Sequence, residues 1–195
     1  DTMRGHGVHQ LFVRGGDAGR FEGMVTYGDI LGLVYRYCHR CRKSHARGRA
    51  VGEDAGLPPD MLVEEVMTPG VMGCNDTDNL VRVMEVVSTQ RKSAVLVNGA
   101  KGQPAGVISK TDLVYAWYRG VDADTPAHAI MSSPVRSCHR QTPLTEAMAR
   151  MLLEDMGRLF VHDPDPGRIV GVLALADAAG RRSGTCRACV SSRLV

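Results

Sequence analysis

Gly106-Val107-Ile108-Ser109-Lys110-Thr111-Asp112-Leu113 passes from a short apolar strand, Ala105 to Ile108, into an amphipathic segment, Leu113 to Tyr118. A hydroxyl stands at the turn and a carboxylate three residues later. The stretch has a forerunner, Gly23-Met24-Val25-Thr26-Tyr27-Gly28-Asp29-Ile30, and a successor, Gly171-Val172-Leu173-Ala174-Leu175-Ala176-Asp177-Ala178. Three copies of one strand-turn-helix signature make the chain a repeat protein, and the repeat decides the fold.

A second pair of matching stretches fixes the period. Glu65-Val66-Met67-Thr68-Pro69-Gly70-Val71 aligns with Ala129-Ile130-Met131-Ser132-Ser133-Pro134-Val135, placing Met67 and Met131 64 residues apart. Asp112 and Asp177 are 65 apart, so the period holds at both ends of the repeat. Asp29 and Asp112 are 83 apart, and the excess lies in an insert. Residues 1–37 therefore read as the C-terminal half of a repeat, 38–60 as a Cys/Arg-rich linker, 61–120 and 121–180 as complete repeats, and 181–195 as a Cys/Arg-rich tail. The chain begins at Asp1 in mid-element, which reads as a fragment or processed form.

Within the first complete repeat, Asp76 or Thr77 is placed to cap a helix carrying Leu80, Val83, Met84 and Val87 at helical spacing. Ala94 to Val97 and Ala105 to Ser109 read as strands. In the second, Thr142-Pro143 reads as an N-cap followed by proline at the first helical position. Leu144, Ala147, Met148, Met151 and Leu152 form the apolar stripe, and the methionines read as core. Leu159 to Val161 and Ile169 to Leu173 are strands, followed by a short Ala-rich helix. In the partial repeat, Leu31, Val34 and Tyr35 share a helix face. The fold class is α/β, built from tandem β-α-β-β-α units. One such unit of about 60 residues buries little core alone, so pairing is physically sensible.

At 44% hydrophobic and 23% charged residues, the chain can bury a core and has an ordinary soluble balance. No run of about 18 apolar residues is present, so no membrane span is expected. No signal peptide is visible, and a cytoplasmic location is the expectation. Arg40, Arg42, Lys43, Arg47 and Arg49 cluster in the linker, and Arg181, Arg182, Arg187 and Arg193 in the tail. These nine cations exceed the net charge of +3, so the remainder of the chain is acidic. The basic segments raise a nucleic-acid-binding alternative, but no aromatic residue interleaves either one, which argues against single-strand stacking. No P-loop, no H-E-x-x-H and no nucleophile–base pair is seen, and the seven histidines are scattered, so no enzyme is expected.

Ser109 and Asp112 form a near capping box, in which each side chain can satisfy an orphan amide of the helix start. The same geometry suits a ligand. A carboxylate in the first turn can accept from both hydroxyls of a ribose, and a helix N-terminus with a free hydroxyl and Lys110 suits a phosphate. A nucleoside phosphate would satisfy all of these together.

The signature of Gly, two apolar residues, Ser/Thr, two variable residues and Asp, together with the Val66-Met67-Thr68-Pro69 opening, resembles the cystathionine-β-synthase (CBS) domain family. The resemblance covers nearly the whole chain outside the linker and tail. It implies a tandem pair, or Bateman module, packed about a pseudo-twofold axis with two clefts, preceded by a partial CBS repeat. It further implies a regulatory module that binds AMP, ADP, ATP or a related adenosyl ligand. Carried onto this sequence, Asp112 holds the ribose and Ser109 contacts ribose or phosphate. Met67, Thr68 and Val71 lie near the base, as do Ala94 and Val95. Ala174 departs from the pattern, so the third signature should lose its cap and phosphate contact. Asp177 and Arg158 then give a degenerate site. Thr26 and Asp29 remain in the partial repeat, without the strand that would complete its pocket. The output would lie in an effector domain or protein outside the chain. A homodimer is expected, with Val83/Met84/Val87 and Met148/Met151/Leu152 as candidate contact faces.

Cys38, Cys41, Cys186 and Cys189 form two C-x-x-C pairs, each following the final helix of a repeat. Four thiolates in such pairs suit one tetrahedral ion, zinc first. An iron–sulfur cluster, a redox-switched disulfide or separate reduced thiols would use the same residues. Cys74 and Cys138 stand alone beside first strands and read as packed thiols.

Overall fold

The computed structural model describes residues 2–16, 20–38, 61–89 and 93–180. Three repeats are visible. Repeat 1 comprises α1 (Thr2–His6), β1 (Gln10–Arg14), β2 (Phe21–Thr26) and α2 (Tyr27–Cys38). Repeat 2 comprises β3 (Thr68–Pro69), β4 (Gly73–Asn75), α3 (Leu80–Thr89), β5 (Ala94–Asn98), β6 (Pro104–Ser109) and α4 (Lys110–Tyr118). Repeat 3 comprises β7 (Ser137–His139), α5 (Leu144–Leu153), β8 (Arg158–His162), β9 (Ile169–Ala174) and α6 (Leu175–Gly180). Among the described residues, no helix is long and apolar enough to cross a membrane.

The backbone forms two compact units that cut across the repeats. Unit 1 gathers residues 1–68, 140–159 and 173–195, and unit 2 gathers 69–139 and 160–172. Repeat 3 thus lends its helices to unit 1 and most of its strand residues to unit 2.

In unit 1, β1 and β2 form an antiparallel hairpin, with Gln10 opposite Thr26 and Phe12 opposite Met24. One face closes over Met3, Tyr27 and Ala179, with Leu11, Ile30 and Leu175 packed against them. Helix α2 packs on both α5 and α6. Leu31 of α2 and Leu144, Ala147, Met148 and Met151 of α5 are buried. The other hairpin face leaves Phe12, Phe21 and Met24 exposed.

In unit 2, β5 runs antiparallel to β6 and parallel to β4, with Ala94 opposite Ser109 and Cys74 opposite Val97. Valines, leucine and isoleucine in these short runs suit a sheet covered on both faces. Val83 and Val87 of α3 close the core over Cys74, Val95, Val97, Ile108 and Ala127. Burial, and next to it Asp78, pushes the Cys74 thiol up to about 11. The second sheet has strand order β3-β9-β8-β7, with β7 parallel to β8. Gly106 lies where the chain entering repeat 3 crosses β6. Val107 and Ser132 exchange two main-chain hydrogen bonds of 2.9 Å there. A Cβ on Gly106 would meet Met131 Sδ at 2.5 Å and Ser132 O at 2.9 Å, so the residue is needed for close approach. At the equivalent Gly23 nothing lies within 4 Å.

Several sequence expectations change in detail. The cap of α3 is Asn79, whose Oδ1 accepts from Arg82 N at 3.1 Å, and not Asp76 or Thr77. Asp76 and Thr77 lie in the preceding turn, where Asp78 accepts from Asn75 N at 2.7 Å. Pro143 occupies the N-cap of α5 rather than its first helical position, because its ψ of 133° is not helical. No side chain caps this helix. Met84 is exposed rather than core, and Leu152 is half-buried. Val83, Val87, Met148 and Met151 are core and present no face to a partner. The side chains of Val34 and Tyr35 lie outside the described residues.

Candidate functional site

The Ser109 turn is a full capping box. Ser109 N and Ser109 Oγ each donate to Asp112 Oδ2 at 2.7 Å, and Asp112 N donates to Ser109 Oγ at 3.3 Å. Ser109 has extended backbone, so α4 begins at Lys110, whose N bonds back to Ser93 O at 3.1 Å. The box satisfies helix-start amides that would otherwise lack partners. It engages one carboxylate oxygen. Oδ1 of Asp112 takes no hydrogen bond among the described residues, and Asp112 is half-buried. Lys110 is exposed beside it.

Repeat 1 builds the same box. Thr26 N and Oγ1 donate to Asp29 Oδ2 at 2.8 Å each, and Asp29 N donates to Thr26 Oγ1 at 3.2 Å. The Thr26 hydroxyl, and after it the Thr26 amide, hold the Asp29 carboxyl below the usual carboxylate range. A depressed pKa adds stability that is present above the usual range and lost as pH falls through the folded value. The penalty of Asp29→Asn is therefore expected at neutral pH and should vanish on acidification through that window. Melting curves of both proteins across pH check this.

Repeat 3 keeps half the box. With Ala174 at the hydroxyl position, Ala174 N still donates to Asp177 Oδ2 at 3.1 Å. The expected loss of the cap is thus partial: the hydroxyl bond is gone and the carboxylate–amide bond remains. The first helical residue also differs among copies, being Tyr27, Lys110 and Leu175. Repeat 2 alone places a cation beside its box at that position.

The remaining predicted residues fall as follows. Ala94 lies across the β5–β6 ladder from Ser109. Val95 is fully buried in the core of unit 2, so only its main chain remains for a ligand. Val71 is half-buried in unit 2. Met67, Thr68, Arg158 and Asp177 belong to unit 1, all half-buried. Cys41, Cys186, Cys189 and the side chain of Cys38 lie outside the described residues, as do the basic segments. The zinc and nucleic-acid expectations fall there with them. Cys74 and Cys138 are buried, as expected of packed thiols. Among the described residues, no cluster of three or more His, Cys, Asp or Glu could hold a metal ion.

One grouping was not visible in sequence. His139 and His162 are register partners on β7 and β8, with ring centroids 5.6 Å apart. His139 Nε2 lies 3.6 Å from Asp163 Oδ1, and His162 Nδ1 lies 3.1 Å from Ser137 Oγ. Burial, then the neighbouring His139, lowers the His162 pKa, against a smaller opposite pull from Asp165 and Asp163. The only signal for this grouping was that each histidine ends a strand.

Comparison with known proteins agrees with the geometry. The CBS domain model matches residues 1–36, 63–119 and 127–183. No curated protein matches the sequence. A solved protein from Methanocaldococcus jannaschii superposes with a TM-score of 0.69 at 16% identity, covering 91% of this chain and 60% of its own. A CBS domain protein from Pyrobaculum aerophilum, solved in complex with AMP, gives 0.56 at 21% identity, covering 68% of this chain and 97% of its own. A protein from Pyrococcus horikoshii gives 0.66 at 17% identity, covering 93% of this chain and 72% of its own. These likenesses concern the fold. With three matched segments that span most of its length, and three copies of one strand-turn-helix signature, the chain belongs to the CBS domain family.

Proposed function

We propose that the repeat 2 turn binds an adenine nucleotide of the AMP, ADP or ATP class, and that the chain is a regulatory sensor acting on an effector outside it. The observation that carries this reading is the half-used carboxylate of Asp112. The cap fixes its orientation through Oδ2 and leaves Oδ1 to accept from a ribose hydroxyl. A side chain ordered before binding loses little rotamer freedom when the ligand arrives. Lys110 and the start of the nine-residue helix α4 supply the positive field a phosphate needs. The AMP complex of the Pyrobaculum relative supports the ligand class. Repeat 1 has the box without the cation, and repeat 3 has neither hydroxyl nor cation. Repeat 2 is accordingly the strongest site.

Calorimetric titration with AMP, ADP and ATP tests the proposal. Asp112→Ala should weaken binding more than about tenfold, equivalent to roughly 1.4 kcal/mol, because charge-assisted hydrogen bonds are lost. Asp29→Ala removes the same cap from repeat 1 and should leave the tightest site intact, which separates recognition from helix capping. Absence of binding of every adenine nucleotide at millimolar concentration, or unchanged affinity in Asp112→Ala, would overturn the reading.

A further inference from the structure

Repeats 2 and 3 end their first parallel strand pair on the same rung with different chemistry. In repeat 2 the last residues of β4 and β5, Asn75 and Asn98, are register partners. In repeat 3 the last residues of β7 and β8, His139 and His162, take those places. The turn that follows changes in step. The first and third residues after β5 are Gly99 and Lys101, and those after β8 are Asp163 and Asp165. Repeat 2 thus has an uncharged rung followed by a cation, and repeat 3 a titratable rung followed by two acids. All of these repeat 3 groups lie in unit 2.

The geometry limits how many protons the rung can carry. The two rings meet edge to face, 5.6 Å between centroids and 67° between planes, and both are half-buried. One imidazolium has carboxylates at hand, with Asp163 Oδ1 3.6 Å from His139 Nε2. Two would be like charges held together by paired strands and partly shielded from water. The charged groups that act on His162 are His139 across the rung and Asp163 and Asp165 in the turn. Around them, Arg136 before β7 and Arg168 at the far end of the turn are exposed, and Arg140 pairs with Glu64. β9, the other neighbour of β8, has no titratable side chain over Ile169–Ala174. Burial, then His139, makes His162 the ring that resists a proton, and the two acids offset this only in part.

We propose that the His139–His162 rung is a proton-operated catch on β7, the terminal strand of its sheet, which holds while no more than one imidazole is charged and loosens from β8 when both are. A base whose pKa is lowered by folding binds fewer protons folded than unfolded. The folded rung therefore loses stability as pH falls from the ordinary histidine value of about 6.5 to the folded value, and below that the loss is complete. Repeat 2 has amides at the same rung and should not respond. The catch uses none of the Ser109–Asp112 box and does not rest on the nucleotide reading.

Amide hydrogen exchange of the full chain from about pH 8 to 5 tests the proposal with an internal control. Phe160 N donates to Arg136 O at 3.0 Å, and at the same place in repeat 2 Leu96 N donates to Met72 O at 2.9 Å. Corrected for intrinsic exchange, the protection of Phe160 relative to Leu96 should fall on acidification, by up to roughly tenfold per pH unit within the window where His162 resists its proton. His162→Asn, which installs the repeat 2 residue, should flatten that ratio. Proton NMR should show His162 titrating below the ordinary histidine range, and moving up toward it in His139→Asn. A Phe160-to-Leu96 ratio that is constant with pH in the unmodified chain would overturn the catch. So would a His162 titration that His139→Asn leaves unmoved.

Discussion

Met148→Ala should destabilise the protein by about 3 kcal/mol, while Met84→Ala should cost less than about 1 kcal/mol. Both substitutions delete the same atoms at the same repeat position. They differ in surroundings. Met148 is closed in, on a helix against which α2 packs, and its removal loses transfer energy and leaves a cavity. Met84 is already in water, so truncation removes little burial. For a chain of this size, about 3 kcal/mol lowers the melting temperature by roughly 6–12 °C. Thermal melts of the two variants provide the check. Equal shifts would mean that the repeat position, and not α2, sets the burial.

Gly106→Val is expected to destabilise by about 2–3 kcal/mol or more, through overpacking. The first new carbon would press on Met131, which can move, and on the carbonyl of Ser132, which is held by the Val107 pairing. The branched remainder would force β6 away from that segment. Gly23→Val, at the same place in the signature, meets open space and should change stability by less than about 0.5 kcal/mol. Denaturant unfolding of the two variants separates them. A tolerated valine at position 106 would show that the crossing segment yields.

The strands and helices were legible because each rests on local pattern. Alternation and β-branched runs mark β5, β6, β8 and β9, and helical spacing marks α3 and α5. The box at Ser109 and Asp112 was legible for the same reason, since both partners lie within one turn. What depended on a distant segment was not legible. Met84 and Met148 look alike in sequence, and only the packing of α2 on α5 distinguishes their settings. The start of α3 was ambiguous because Asn75, Asp76, Thr77, Asp78 and Asn79 all carry cap chemistry. Where the helix begins decides among them, leaving Asn79 as its cap. His139 and His162 meet only because β7 and β8 pair in parallel register, which neither residue announces.

The shared box also sets how duplicated copies can drift apart. A single pair of side chains both starts the helix and holds a carboxylate with an unused oxygen. In repeat 3 the hydroxyl has given way to Ala174, yet Asp177 still accepts from the backbone and α6 still begins at Leu175. Exchange of the hydroxyl is thus compatible with the fold, because the carboxylate–amide bond still starts the helix. Exchange of the aspartate removes the last side-chain bond at the helix start, so a copy that loses it gives up architecture together with chemistry. Of the two side chains, the acid is therefore the one that the architecture can least replace.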